Sequence, residues 1–159
     1  HEKAFQVLTQ VAGRSGRSGQ RGKVFLQTYQ PEHPIIKNVI NNDYDEMYNN
    51  QLIERKDYNY PPFVRLIRIT LKDKSYEKLN SSSDWINKVM RANYKGIVLG
   101  PVYPEVSRIK NKYHKEFLIK LGGLKELNNF RNTFQSIIKS FDSISKYRSV
   151  RIIVDVDPI

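Results

Sequence analysis

Pro61 and Pro62, set between Tyr60 and Phe63, constrain the fold of this chain more than any other feature. A proline holds φ near about −65°, lacks an amide donor and pushes the residue before it toward extended backbone, so no regular element runs through this point. The chain therefore reads as two stretches. After the prolines, apolar residues recur first at every second position and then at three- and four-residue steps. The pattern predicts strand 64–72, helix 76–92, strand 96–102, strand 113–121, helix 124–144 and strand 150–156.

The order β-α-β-β-α-β places 60–159 in the α+β class as a ferredoxin-like domain, with two helices covering one face of a four-stranded antiparallel sheet. Strand alternation assigns Ile67, Ile69, Leu71, Phe117, Ile119, Leu121, Val150, Ile152 and Val154 to the helix-facing side. The helices offer Leu79, Ile86, Val89 and Met90, and Leu127, Phe130, Phe134, Ile137, Ile138 and Phe141. Leu66, Arg68, Thr70, Lys72, Glu116, Leu118, Lys120, Arg151, Ile153 and Asp155 fall on the other, open face, where ordinary solvation is expected for Thr70 and Glu116.

Before the prolines the periodicity is helical over 35–56, with Ile36, Val39, Ile40, Tyr44, Met47, Tyr48 and Leu52 on one side, which predicts a single connector helix within 35–59. Residues 1–34 differ. Phe5, Leu8, Val11 and Ala12 mark a short helix that runs into a basic glycine loop, followed by KVFLQTY at 23–29, a strand by composition. One helix and one strand cannot enclose a core, so this segment is expected to lean on other protein.

Charge narrows the partners. The 159 residues carry 27 Lys and Arg against 16 Asp and Glu, a formal net charge of +11, which favours polyanions. With no cysteine, thiolate metal sites, disulfides and cysteine nucleophiles are excluded. His1, His33 and His114 are too far apart to suggest a metal cluster, and Asp155 with Asp157 lacks a third ligand. No metal is expected. No apolar run approaches the roughly 20 residues of a membrane span, and the N-terminus lacks the order of a secretory signal, so the expectation is a cytoplasmic protein without a membrane partner.

The most specific local signal is Gln10-Val11-Ala12-Gly13-Arg14-Ser15-Gly16-Arg17, a Q-x-x-G-R-x-G-R pattern. A guanidinium stays charged and forks donors toward phosphate oxygens, and glycines allow close backbone approach to a nucleotide. The pattern is similar to motif VI of superfamily 2 helicases, carried on the second RecA-like lobe. In extended context the chain resembles the PriA family of replication-restart helicases. The blocks that carry this are Phe5-Gln6-Val7-Leu8-Thr9-Gln10, Leu26-Gln27-Thr28-Tyr29 with Pro31-Glu32-His33-Pro34, Tyr60-Pro61-Pro62-Phe63, Leu99-Gly100-Pro101 and Val154-Asp155-Val156-Asp157-Pro158.

That resemblance implies the C-terminal end of the second helicase lobe over 1–34 and the family's C-terminal, S10-like domain over 60–159. It implies Arg17 as an arginine finger, Arg14 as a second phosphate contact, and Gln10, Gly13 and Gly16 as nucleotide-facing positions. ATP, Mg²⁺ and zinc are then cofactors of a longer parent. The chain has no G-x-x-x-x-G-K-[ST] loop, since Gly22-Lys23 is followed by Val24, so it is not expected to hydrolyse ATP alone. The family's partners are forked or branched DNA, other primosome proteins and the acidic tail of single-stranded DNA-binding protein, for which Lys125, Arg131 and Lys139 offer a basic helix face.

A second candidate site is the connection Arg108-Ile109-Lys110-Asn111-Lys112-Tyr113-His114-Lys115. Arg108, Lys110, Lys112, Tyr113 and Lys115 join cations to an aromatic, the combination that contacts phosphates and stacks on a base. Where the family has a Tyr-Arg pair, this chain has Tyr113-His114. The plainer reading is a solvated hairpin whose lysines keep the protein soluble. The competing function is non-enzymatic: a ferredoxin-like RNA-binding or ribosome-associated module whose glycine-arginine loop is an RNA-binding arm.

Overall fold

A computed structural model describes residues 2–15 and 22–158. The chain forms two compact units, His1–Tyr58 and Asn59–Ile159.

The first unit contains helices α1 (Glu2–Arg14), α2 (Pro34–Asn41) and α3 (Tyr44–Asp57). Phe5, Ile35 and Met47 are its buried apolar residues, flanked by Ile36 and Val39. The single helix expected over 35–56 is broken in two. Asn42 adopts left-handed backbone with φ 54° and closes α2, and Asp43 Oδ1 accepts from the Glu46 amide at 2.9 Å to start α3. An amide side chain tolerates left-handed backbone and a carboxylate caps a helix start, and these local terms override an apolar spacing that continues across them. At the other end of α2, His33 Nδ1 accepts from the Ile35 amide at 3.2 Å, with Pro34 in the first helical position.

The strand expected over 23–29 does not form, and Phe25 and Tyr29 are exposed. β-composition supplies no structure without a neighbouring ladder, and no strand among the described residues pairs with this segment.

The second unit is built from β1 (Arg65–Asp73), α4 (Tyr76–Asn93), β2 (Ile97–Val102), β3 (Arg108–Ile109), β4 (Lys112–Leu121), α5 (Leu124–Asp142) and β5 (Arg151–Val156), with a 3₁₀ turn at Ser145–Tyr147. The sheet order is β2-β4-β1-β5, every neighbouring pair is antiparallel, and the short β3 pairs with β4 alone. Central β1 matches Ile69 to Phe117 on one side and to Val154 on the other. It is a mixed α/β domain.

The core lies between sheet and helices: Ile69, Leu71, Phe117, Ile119 and Leu121 against Leu79, Ile86, Met90, Phe130, Ile137 and Phe141. Each such side chain contributes roughly 1.5–3 kcal/mol on leaving water. Ser82 and Ser83 are also buried on α4; their hydroxyls return to Leu79 O (2.9 Å) and Asn80 O (2.8 Å), leaving a small surface on which the helix sits close to the sheet. Val154 departs from the expected burial. It is 47% exposed and, with Val156, Phe130 and Phe134, lines an open groove of about 390 Å³ beside α5.

The open face is less solvated than alternation suggests. Thr70 and Lys120 are buried; Thr70 Oγ1 donates to Glu116 Oε1 at 3.3 Å, and Arg68 Nε lies 3.8 Å from Glu116 Oε2. A carboxylate between a hydroxyl and a guanidinium on adjacent strands is a cross-strand cluster, not a solvated pair.

Candidate nucleic-acid interface

The connection between β2 and β4 folds into a hairpin. Lys110 and Asn111 both have positive φ, 47° and 60°, so the two-residue turn has the twist that matches a right-handed strand pair, with Asn111 tolerating the left-handed region. β3 then pairs Arg108 with Tyr113 and Ile109 with Lys112. Because strand neighbours alternate, the hairpin sorts its side chains between two faces.

On the helix-facing side, the Arg108 guanidinium lies 5.0 Å from the centre of the Tyr113 ring, and its Nη2 donates to Asn111 Oδ1. Tyr113 meets Tyr76 edge-on, with ring centres 5.5 Å apart. Tyr76 stacks on Tyr103 at 5.9 Å with 2° between the planes. Tyr103 OH donates to Asn80 Oδ1 at 2.6 Å, and Lys115 Nζ stands 5.1 Å from the Tyr103 ring centre. Burial, followed by the hydrogen bond with Tyr76, pushes the Tyr103 phenol up to about 12, while the hydrogen bond with Tyr103 holds Tyr76 below its ordinary value. Burial thus keeps the Tyr103 phenol protonated at neutral pH.

On the open side, β1 and β5 align Lys72 with Arg151, and β1 and β4 align Lys72 with His114. Lys112, two residues from His114, continues this row toward the turn that bears Lys110. The His114 imidazole is buried, which pushes its pKa below the ordinary value, and the Lys72 charge acts in the same direction. Row and tyrosines share one end of the sheet.

The five hairpin residues singled out in the sequence thus do not form one patch. Lys110 and Arg108 are exposed and Lys112 is half-buried, whereas Lys115 is buried under α4, its Nζ 3.2 Å from Ser83 Oγ and 4.0 Å from Asp84 Oδ1. Sequence reasoning missed Tyr76 and Tyr103. Tyr76 opens a helix and Tyr103 follows the last residue of β2, and no periodicity relates them to Tyr113.

Of the positions expected to face a nucleotide, Gln10 and Arg14 lie four residues apart on α1, on one face of its last turns, and both are exposed. The helix continues through Gly13 and Arg14. Gly16 and Arg17 lie outside the described residues, as does His1. Lys125, Arg131 and Lys139 are exposed on α5. Asp157 closes the fold: its Oδ1 accepts from the Leu66 amide at 3.2 Å and its own amide donates to Leu66 O at 2.8 Å. Among the described residues no group of three or more His, Asp or Glu could hold a metal ion, and no helix is long and apolar enough to cross a membrane.

Fold and rim together define a mixed α/β domain with a cationic, tyrosine-bearing edge. Residues 56–159 match the family described as the primosomal protein N C-terminal domain, and the chain belongs to that family, the C-terminal region of PriA. Over 99% of its length it is 30% identical to replication restart protein PriA of Bacillus subtilis, 32% to that of Chlamydia muridarum and 34% to that of Rickettsia typhi. It covers 19%, 20% and 23% of those proteins, so it spans about a fifth of the relatives it matches.

Proposed function

We propose that this chain is the C-terminal portion of a replication-restart helicase and that its hairpin edge holds forked DNA while the longer protein assembles a primosome. The observation that carries this is that one end of the sheet bears Arg108 with three tyrosines on its helix-facing side and Lys72, Lys112 and Arg151 on its open side, with Lys110 at the turn between them. Cations at such an edge contact phosphates, the tyrosines offer ring surface for bases, and +11 of net charge draws a polyanion to the protein. The strand order β2-β4-β1-β5, and the element order β-α-β-β-α-β that the four strands of this path make with α4 and α5 once the two-residue β3 is set aside, support a ferredoxin-like, S10-like fold for the domain.

In this reading residues 1–34 complete the second RecA-like lobe of the longer protein, 35–59 connect and 60–159 form the C-terminal domain. Arg14 and Gln10 face the nucleotide from one side of α1, and Gly13, Gly16 and the arginine finger Arg17 serve the same nucleotide. Bound ATP with Mg²⁺ supplies the energy for 3′-to-5′ movement. These residues offer guanidinium and amide donors but no phosphate loop, so hydrolysis belongs to the longer protein. A chain without cysteine cannot supply thiolate ligands, and zinc is likewise held elsewhere in the parent. Exposed Lys125, Arg131 and Lys139 suit the acidic tail of single-stranded DNA-binding protein. The site of action is the bacterial cytoplasm, at the nucleoid.

Fluorescence anisotropy with labelled forked, duplex and single-stranded DNA tests the reading. The fork should bind tighter than the duplex, and Lys110→Ala with Lys112→Ala should lower affinity and reduce the salt slope by about one to two. Tighter binding to structured RNA than to a fork overturns it.

A further inference from the structure

A ring that stacks on a nucleic-acid base needs three properties: one edge or face in water, a fixed orientation, and neighbours that do not compete for the base. Tyr76 has them. It is 51% exposed, although it occupies the first position of a well-formed helix and is held by two other rings. Tyr103 lies parallel beneath it at 5.9 Å, and Tyr113 meets it edge-on at 5.5 Å. Tyr103 is itself tied down by its hydroxyl on Asn80, at 2.6 Å. A tyrosine so held has few rotamers left to lose on binding.

Asp84 lies on the α4 side of the rings, where Lys115 Nζ is 4.0 Å from its Oδ1, and the hairpin side carries charge opposite to that of a phosphate backbone. Arg108 stands over Tyr113 and is exposed, and Lys110 tips the adjoining turn. The Tyr103 phenol, pushed up to about 12 by burial, stays neutral and does not repel a polyanion. An apolar protein partner would find rings edged by the Arg108 guanidinium and by phenol hydroxyls, which suits a nucleotide better than an aliphatic side chain.

From this the geometry points to a stacking ledge for an unpaired base: Tyr76, braced by Tyr103 and Tyr113, takes a nucleotide whose face is free while Arg108 meets its phosphate. The inference rests on the DNA reading above and adds to it which part of a fork the edge touches. Bases within a duplex are stacked on both faces and offer none to a protein ring. The ledge therefore selects single-stranded or junction nucleotides, whereas the exposed cations act on any backbone.

The test compares a short oligothymidine with an abasic strand of the same number of phosphates, each titrated against the 159-residue chain. The wild-type chain should prefer the strand with bases by about five- to tenfold, the scale of one base stacked on an aromatic ring. Tyr76→Leu, which keeps bulk without a π-face, should abolish that preference and leave duplex affinity and the salt slope unchanged. Tyr76→Phe should retain it, with equal thermal midpoints showing that both variants fold. Equal wild-type binding of the two strands, or a preference that survives Tyr76→Leu, overturns the ledge while the DNA reading stands. Failure of the wild-type chain to bind any DNA overturns the reading and the ledge together.

Discussion

Lys115 Nζ lies 3.2 Å from Ser83 Oγ, and this one relationship divides the basic hairpin into a part that faces water and a part that holds the fold. Its side chain is 11% exposed and its nearest carboxylate, Asp84, is 4.0 Å away. Lys115→Ala removes a buried charge-assisted hydrogen bond and opens a gap beneath α4, so it should cost about 1–3 kcal/mol in urea unfolding. Its salt slope for DNA should match that of the unaltered chain, unlike Lys112→Ala. A reduced slope with unchanged stability would return Lys115 to the binding surface.

Gly100 has φ +100° at the irregularity between Leu99 and Val102, and a Cβ there would sit 2.6 Å from the Glu116 carbonyl oxygen. Backbone cannot yield as a flexible side chain would. Gly100→Ala combines a left-handed backbone penalty with that clash and should destabilise the domain by about 2 kcal/mol or more. A change below about 0.5 kcal/mol in the unfolding free energy from denaturant titration would show that the bulge relaxes.

Asp73 is buried at the end of β1, with Oδ1 accepting from the Ser75 amide at 2.7 Å and Oδ2 from Ser149 Oγ at 2.8 Å. It ties the start of α4 to the approach to β5. Asp73→Ala strands both donors and should cost about 2–4 kcal/mol, whereas Asp73→Asn, which keeps one acceptor, should lose less. Equal losses would mean that charge, not acceptor geometry, matters there.

His114 titrates below its ordinary 6.5 because it is buried and then because Lys72 is near. A depressed folded pKa means the unfolded chain binds the proton more readily. The associated stability is therefore fully present above about pH 6.5 and is lost as pH falls through the folded value. Thermal midpoints followed from pH 7.5 to 5 should decline, and His114→Gln should flatten the decline. Parallel slopes for the two proteins would exclude His114 as the source.

Much of the second unit is legible in the sequence because its signals are local and agree. Period-two runs around Ile69 and Phe117, period-three-and-four runs around Ile86 and Ile137, and the break at Pro61-Pro62 point to one element order, and the folded strands and helices begin within about a residue of where those patterns start. The first unit is less legible. The spacing from Ile36 to Leu52 continues through Asn42, and only the left-handed residue and the Asp43 cap divide it.

The sequence by itself determined the alternation of elements, the helix-facing core and an excess of positive charge, since each depends on residue type and spacing along the chain. Tertiary structure alone decided which cations meet water and which tyrosines meet each other. Lys112 and Lys115 are three residues apart, an odd step that puts them on opposite faces of β4, where only Lys115 is covered by α4. Tyr76, Tyr103 and Tyr113 come together because antiparallel pairing and the packing of α4 bring a helix start, a strand end and a hairpin to one corner. No local pattern encodes that meeting, because it arises from chain segments far apart in sequence.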